Sequence, residues 1–275
     1  MRTSSITLGL ATWLFGAAAM AADCGGVDQA CEVPMGSYHI AMPEGVDGAV
    51  PAVIFLHGAG GTGAREISND AMRNGLLSRG YALIAPNGMG REGRGGGFWS
   101  FIPGREILRD ENAFLDEVAA DAAQKFGVDR DRIVLSGFSI GGSMTSYAAC
   151  AQPDQFSAYA PVAGSFWRPH PAECTGPVRL LHTHGWTDGT VPLEGRPLRG
   201  GAINQGDVFH GMSIWRAANG CDAWKADRFE MTESFWHRRW VNCNEGTALE
   251  FVLFPGGHGV PRGWSQMMLD WYEGL

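Results

Sequence analysis

Uninterrupted apolar runs recur along the chain, separated by turn residues and by stretches of helical period. Tyr38, Ile40 and Met42 alternate with polar neighbours as an edge strand does, and Pro43-Glu44-Gly45 opens a turn after them. The runs Ala49 to Leu56, Tyr81 to Ala85, Arg132 to Leu135, Phe156 to Ala163 and Ala248 to Phe254 are mostly or wholly apolar, the pattern of strands buried on both faces, and Val178 to Gly185 reads as a further strand. Between them lie helical patterns. One is expected from about Glu66 to Ser78. A second is capped by Asp110, with Phe114, Val118, Ala122 and Phe126 at four-residue spacing. A third carries Met144, Tyr147 and Ala148; a fourth runs from Asp207 to Asn219 with Val208, Met212 and Trp215 on one side, stopped by Gly220. Gly263 to Tyr272 is the closing helix. Phe229, Phe235, Trp236 and Trp240 mark a further strand pair. Strand and helix in alternation predict an α/β protein: a mostly parallel central sheet flanked by helices, in one domain.

The stretch Gly88 to Gly97 departs from both periods. Its glycines predict a mobile loop without helix or strand, ending in Phe98 and Trp99 at a substrate-side lip.

With 275 residues and 45% hydrophobic content the chain fills one sizeable core, and no Pro/Ser-rich or charged linker divides it. Arg2, the apolar segment Ile6 to Ala19 and Ala19-Met20-Ala21 read as a secretory signal cleaved after Ala21, so residues 1–21 are the expected signal peptide and 22–275 the catalytic domain. No later run reaches the length of a membrane span, and export to the extracellular or periplasmic space is expected. Six cysteines suit an oxidising compartment; of the 15 possible pairings, sequence proximity favours Cys24–Cys31, Cys150–Cys174 and Cys221–Cys243. No Cys-x-x-Cys is present, and neither a metal nor another cofactor is expected. A net charge of −8 argues against nucleic acid or an anionic membrane surface as partner.

Candidate chemistry concentrates at strand exits. Gly137-Phe138-Ser139-Ile140-Gly141 follows an apolar strand and precedes a helical pattern, the strand-turn-helix context in which Gly-x-Ser-x-Gly presents a nucleophilic hydroxyl at the apex of a sharp turn. Ser139 is the candidate nucleophile. His57-Gly58-Ala59-Gly60-Gly61 follows the Ala49 to Leu56 strand, and the Ala59 and Ile140 N–H groups are the expected oxyanion-hole pair. Asp188 follows the Val178 to Gly185 strand and His258 the Ala248 to Phe254 strand, completing the order Ser, Asp, His. His182 and His184 share one strand face without a third ligand in sight and read as structural histidines. The Gly-Lys-Ser/Thr ending of a phosphate loop is absent.

Through Leu56-His57-Gly58-Ala59-Gly60-Gly61, Gly137-Phe138-Ser139-Ile140-Gly141-Gly142, His184-Gly185-Trp186-Thr187-Asp188-Gly189-Thr190-Val191-Pro192, Gly220-Cys221 and Gly256-Gly257-His258, the chain resembles the secreted esterases of the polyhydroxybutyrate depolymerase and feruloyl esterase group of α/β-hydrolases. The resemblance implies an α/β-hydrolase fold, a serine carboxylic-ester hydrolase working through an acyl-enzyme on Ser139, and Ser139, Asp188 and His258 as the triad. It also supports the Cys150–Cys174 and Cys221–Cys243 pairings. The expected substrates are hydroxyalkanoate oligomers or polymer, or feruloyl and acetyl esters on plant polysaccharide. Extracellular depolymerases of the group usually add a linker and a polymer-binding domain; here Leu275 follows the last helix closely, so the catalytic core alone is expected. His57, Trp99, Trp186 and Trp264, with Trp167, are the expected groove residues. An acyltransferase using the same triad, a peptidase, and a non-catalytic polymer- or sugar-binding protein on the same scaffold are the alternatives.

Overall fold

The computed structural model describes residues 24–46, 48–91 and 94–275, so the expected signal peptide lies outside the described residues. In chain order the strands are β1 (Cys31–Val33), β2 (Gly36–Ala41), β3 (Val50–Leu56), β4 (Ala82–Pro86), β5 (Met89–Arg91), β6 (Arg94–Phe98), β7 (Val128–Phe138), β8 (Ala158–Val162), β9 (Trp167–Arg168), β10 (Arg179–Gly185), β11 (Pro197–Leu198), β12 (Ile203–Gln205), β13 (Arg228–Met231), β14 (Trp236–Trp240) and β15 (Ala248–Phe254). The helices are α1 (Gly63–Ile67), α2 (Asp70–Leu77), α3 (Glu111–Phe126), α4 (Ile140–Ala151), α5 (Val208–Ala218) and α6 (Trp264–Glu273).

Ten of the strands form one sheet in the order β1-β2-β4-β3-β7-β8-β10-β15-β14-β13. Its six inner strands, β4 to β15 in that order, are parallel, and the apolar runs lie there because each inner strand is covered on both faces. Antiparallel strands finish each side. The expected edge strand Gly36–Ala41 is in fact second from the border, flanked by β1, which Cys24–Cys31 ties down.

Alternation along the inner strands sends Ile54, Leu56 and Leu135 into one core, where Phe114 of α3, Met144 of α4 and Trp215 of α5 pack. Val53, Phe55 and Val134 enter the other, against Met72 of α2 and Met268 of α6. Two helical layers on one sheet result.

Two expected elements differ. The helix expected over Glu66 to Ser78 breaks into α1 and α2. Ser68 returns its hydroxyl to the Ala64 carbonyl, and the Asn69 side chain accepts the Met72 N–H, starting a new helix. The glycine run, expected to be a loop, is a two-stranded hairpin of β5 and β6. Backbone pairing needs no side chain, and the Gly60 N–H to Gly97 carbonyl bond (3.0 Å) and the Gly97 N–H to Gly61 carbonyl bond (2.8 Å) anchor it to the loop after β3.

The three disulfides are Cys24–Cys31, Cys150–Cys174 and Cys221–Cys243. Among the described residues no helix is long and apolar enough to cross a membrane.

The chain runs from β3 outward to β4 and returns to β7 on the other side of β3, which makes the β3/β7 boundary a switch point of the sheet. In an open parallel sheet the crevice beyond the carboxyl ends at such a point is where a ligand fits. Leu56 pairs with Gly137 there, bringing the loop after β3 level with the turn after β7.

Candidate active site

Ser139, between β7 and α4, has a backbone conformation (φ 59°, ψ −119°) that L-residues rarely adopt. The turn closes because its neighbours lack side chains. A Cβ on Gly137 would sit 2.6 Å from the Gly141 backbone, and one on Gly141 would sit 2.1 Å from the Leu56 carbonyl oxygen. Gly164, on the loop after β8, meets the same limit at 2.1 Å from the Ser139 carbonyl oxygen. The Ser139 N–H donates to the Val162 carbonyl at 2.9 Å, fixing the turn against the next strand.

The exits of β10 and β15 bring two further side chains to this hydroxyl. His258 Nε2 lies 2.9 Å from Ser139 Oγ, and its Nδ1 lies 2.8 Å from Asp188 Oδ2. The other carboxylate oxygen, Oδ1, accepts the Thr190 and Val191 N–H groups, each at 2.8 Å. An acceptor at Nδ1 puts the imidazole proton there and leaves Nε2 free to accept from the serine hydroxyl. Burial works to raise the Asp188 carboxyl pKa, but the bonds from His258, Val191 and Thr190 outweigh it and hold the group below its ordinary value. Asp188 is 5% exposed and Ser139 8%, so the array works in a largely dehydrated setting.

Behind Asp188 stand His184 and His182. His184 Nε2 is 2.8 Å from the Val191 carbonyl oxygen and 3.5 Å from Asp188 Oδ2, while His182 Nε2 is 3.1 Å from His184 Nδ1. Burial lowers the pKa of both rings, so they stand neutral and brace the turn that carries the acid. Among the described residues no group of three or more His, Cys, Asp or Glu side chains is placed to hold a metal ion.

The Ala59 and Ile140 backbones border one cleft of about 460 Å³, walled by Phe98, Trp99, Phe101, Ile102, Trp167, Leu198, Arg199 and Ile203. Ile140 opens α4, where an N–H has no acceptor within the helix. The hairpin reaches the same place: a Cβ on Gly96 (φ +83°) would lie 2.0 Å from the Gly60 carbonyl oxygen, so only glycine lets β6 brace the loop that carries Ala59. A larger cavity of about 610 Å³, between β14, β15 and α6, includes none of these residues.

Of the expected groove residues, Trp99 and Trp167 wall the cleft. Trp99 is 2% exposed and donates its indole N–H to the His57 carbonyl, and Trp167 lies with its Nε1 3.2 Å from Ser143 Oγ. The other three are not on its wall. His57 is fully buried: its Nδ1 is 2.8 Å from the Gly58 carbonyl oxygen and its Nε2 accepts the Gly88 N–H at 2.9 Å, so it joins the loop after β3 to the hairpin. Desolvation lowers its pKa and keeps it neutral. Trp264, 1% exposed, packs edge-on against Phe55 in the core, because as the first residue of α6 it turns toward the sheet. Trp186 is 54% exposed and leans on Trp236, outside the cleft. Phe101, Ile102, Leu198, Arg199 and Ile203 join the wall from an irregular segment, from the short strands β11 and β12 and from the turn between them, whose sequences carry no local signal of convergence.

Residues 69–167 match the prolyl oligopeptidase family. The chain is similar to a probable feruloyl esterase C of Aspergillus niger, 26% identical over 82% of this chain and 77% of that one. It is also similar to poly(3-hydroxyalkanoate) depolymerase C of Paucimonas lemoignei, 25% identical over 80% of this chain and 57% of the relative. Among solved structures, the acetyl xylan esterase from Aspergillus awamori superposes with a TM-score of 0.63 at 16% identity, covering 87% of this chain and 94% of that one.

Proposed function

We propose that the chain is a serine carboxylic-ester hydrolase in which Ser139, His258 and Asp188 carry the reaction, with the Ala59 and Ile140 N–H groups as the oxyanion hole, a reading supported by the α/β-hydrolase fold and the esterase relatives. The observation that carries this reading is the unbroken chain Ser139 Oγ, His258 Nε2, His258 Nδ1, Asp188 Oδ2, with contacts of 2.9 and 2.8 Å.

As Ser139 Oγ bonds to the ester carbonyl carbon, its proton passes to His258 Nε2 and the carbonyl electron pair moves onto oxygen. The two N–H groups meet that oxyanion, each contributing about 3–4 kcal/mol to lowering the barrier. When the carbon–alkoxide bond breaks, His258 returns the proton to the departing alcohol and the acyl group stays on Ser139. Water then repeats the sequence: His258 takes its proton, the hydroxide adds to the acyl carbon, and the acid leaves as Ser139 recovers the proton. Asp188, ionised throughout, keeps the proton on Nδ1 and stabilises the imidazolium.

The cleft beside Ala59 and Ile140 suits an apolar group on the ester. The relatives' names direct attention to hydroxyalkanoate oligomers and to feruloyl or acetyl groups on polysaccharide as substrates. The three disulfides support work in an oxidising, exported setting. The prolyl oligopeptidase match spans the elbow but stops before Asp188 and His258, a segment that ester and peptide hydrolases of this fold share, and so favours neither bond.

The test is a panel of methyl ferulate, acetylated xylan, 3-hydroxybutyrate oligomers and a chromogenic peptide, with and without an acceptor alcohol, on the disulfide-intact protein beside Ser139→Ala. Ser139-dependent release of acid from one ester class is expected. Amide cleavage, or acyl transfer outrunning hydrolysis, would replace this reading with the peptidase or the transferase.

A further inference from the structure

Among the described residues, the cleft beside Ala59 and Ile140 is apolar apart from one cation, Arg199. Arg199 also borders an adjoining groove of about 480 Å³ that shares Phe98, Trp99, Phe101, Ile102 and Ile203 with the cleft. Arg199 therefore borders both compartments, together with the aromatic residues they share.

Its setting is unusual in two independent ways. Arg199 has φ +50°, a left-handed conformation that non-glycine residues seldom take, and Gly200 and Gly201 follow it at +66° and +90°. This tight turn joins β11 to β12, which pairs with β9 in turn, so the arginine rides on a small three-stranded sheet rather than on a free loop. The other arginines of that sheet region are engaged: Arg168 donates to the Glu194 carbonyl and Arg196 to Gln205 Oε1. Arg199 has no side-chain hydrogen bond or carboxylate partner among the described residues. Arg105 and Glu106 border the outer groove as well, yet no ion pair joins Glu106 to either arginine. In a chain of net charge −8, an exposed arginine on the wall of the cleft beside Ala59 and Ile140 has its five donors committed to no side chain or carbonyl among the described residues.

Resting on the serine-esterase reading above, we propose that Arg199 is a specificity-determining residue that selects esters bearing an ionised carboxylate on the far end of the group lodged in the cleft. An apolar spacer fills the space between Trp99 and Trp167, the scissile carbonyl meets Ala59 and Ile140, and the carboxylate reaches the fork of Arg199, a planar pairing that a neutral ester lacks. Two sources present this chemistry: the free acid terminus of a hydroxyalkanoate oligomer, and a uronate branch on an acylated polysaccharide.

The test compares matched substrates on the full mature protein. Initial rates are taken for a 3-hydroxybutyrate trimer with a free carboxyl end against its methyl ester, and for acetylated xylo-oligosaccharides with and without a uronate branch, in wild type, Arg199→Gln and Arg199→Lys. In wild type, kcat/KM favours the acid member of one pair about tenfold at low salt, mostly through KM, and the preference shrinks as salt screens it. Arg199→Gln abolishes that preference and Arg199→Lys restores part of it; the pair that responds names the source. In parallel, calorimetry on Ser139→Ala and on Ser139→Ala/Arg199→Gln reads binding of the same compounds without turnover, so a wrong catalytic assignment does not mask the result. Equal binding and equal kcat/KM for acid and neutral members of both pairs, or an Arg199→Gln effect of the same size on all four, overturns the proposal.

Discussion

Replacing Asp188 by Asn tests how the site fixes its histidine. Oδ1 accepts two backbone N–H groups, from Thr190 and Val191, each at 2.8 Å, so an asparagine at this position must place its carbonyl oxygen there. Its NH2 then faces His258 Nδ1 at the 2.8 Å position that the carboxylate oxygen held. A donor at Nδ1 requires the imidazole to accept there and to carry its proton on Nε2. That proton points at Ser139 Oγ, 2.9 Å away, where an acceptor is needed. His184 cannot reverse the amide, because its Nε2–H is committed to the Val191 carbonyl at 2.8 Å. The wrong tautomer costs about 10⁴ in kcat, as in serine hydrolases of the same logic, or about 5 kcal/mol in the barrier. Shape is conserved, and neutralising a buried charge offsets part of the lost bond strength, so the fold stays intact. Steady-state kcat on a soluble ester, with near-UV circular dichroism on the same sample, is the assay. A loss below about tenfold in a folded variant would refute the role given to Asp188.

Two further outcomes follow from the structure. Gly96→Ala puts a methyl 2.0 Å from the Gly60 carbonyl oxygen, which forces β6 off the loop that carries Ala59; a drop in kcat/KM of about tenfold or more is expected, with a stability loss of about 1–3 kcal/mol, and wild-type kinetics would show that the hairpin does not set that loop. Burial lowers the pKa of His57, His182 and His184, so below about 6.5 the unfolded chain binds protons that the folded one refuses and stability falls with pH. The depressed carboxyl of Asp188 adds its own loss below about pH 4. His182→Gln keeps a donor toward His184 without titrating, so its melting temperature declines less between pH 6.5 and 5; identical slopes in the two proteins would remove His182 from this account.

The frame of the protein was legible because its signals are local. Ala49 to Leu56 and Ala248 to Phe254 are apolar enough to be buried on both faces, and the candidate residues Ser139, Asp188 and His258 stand within a few positions of strand ends. The Ser139 turn announces itself through glycines that only a steric need explains. What stayed hidden depends on partners distant in sequence. The β5/β6 hairpin exists because Gly97 meets Gly60 and Gly61, and a run of glycines carries no sign of which backbone it will pair with. The cleft walls include 98–102, Trp167 and 198–203, segments far apart in sequence that the Phe101–Trp167 ring contact and the pairing of β12 with β9 bring together. His57 and Trp264 are among the expected groove residues, Trp264 because its loop lies on the expected catalytic side. Side-chain direction decided otherwise: the ring of His57 turns inward to Gly88, and the indole of Trp264 turns into the core.

The most direct test of the central claim is to trap the acyl-enzyme. The protein is mixed with a slowly deacylating nitrophenyl ester, quenched in acid within the burst and digested for mass spectrometry. One acyl group per chain, located on the peptide containing Ser139 and absent from Ser139→Ala, is the predicted result. Turnover without any adduct, or an adduct on another residue that persists in Ser139→Ala, would contradict the account.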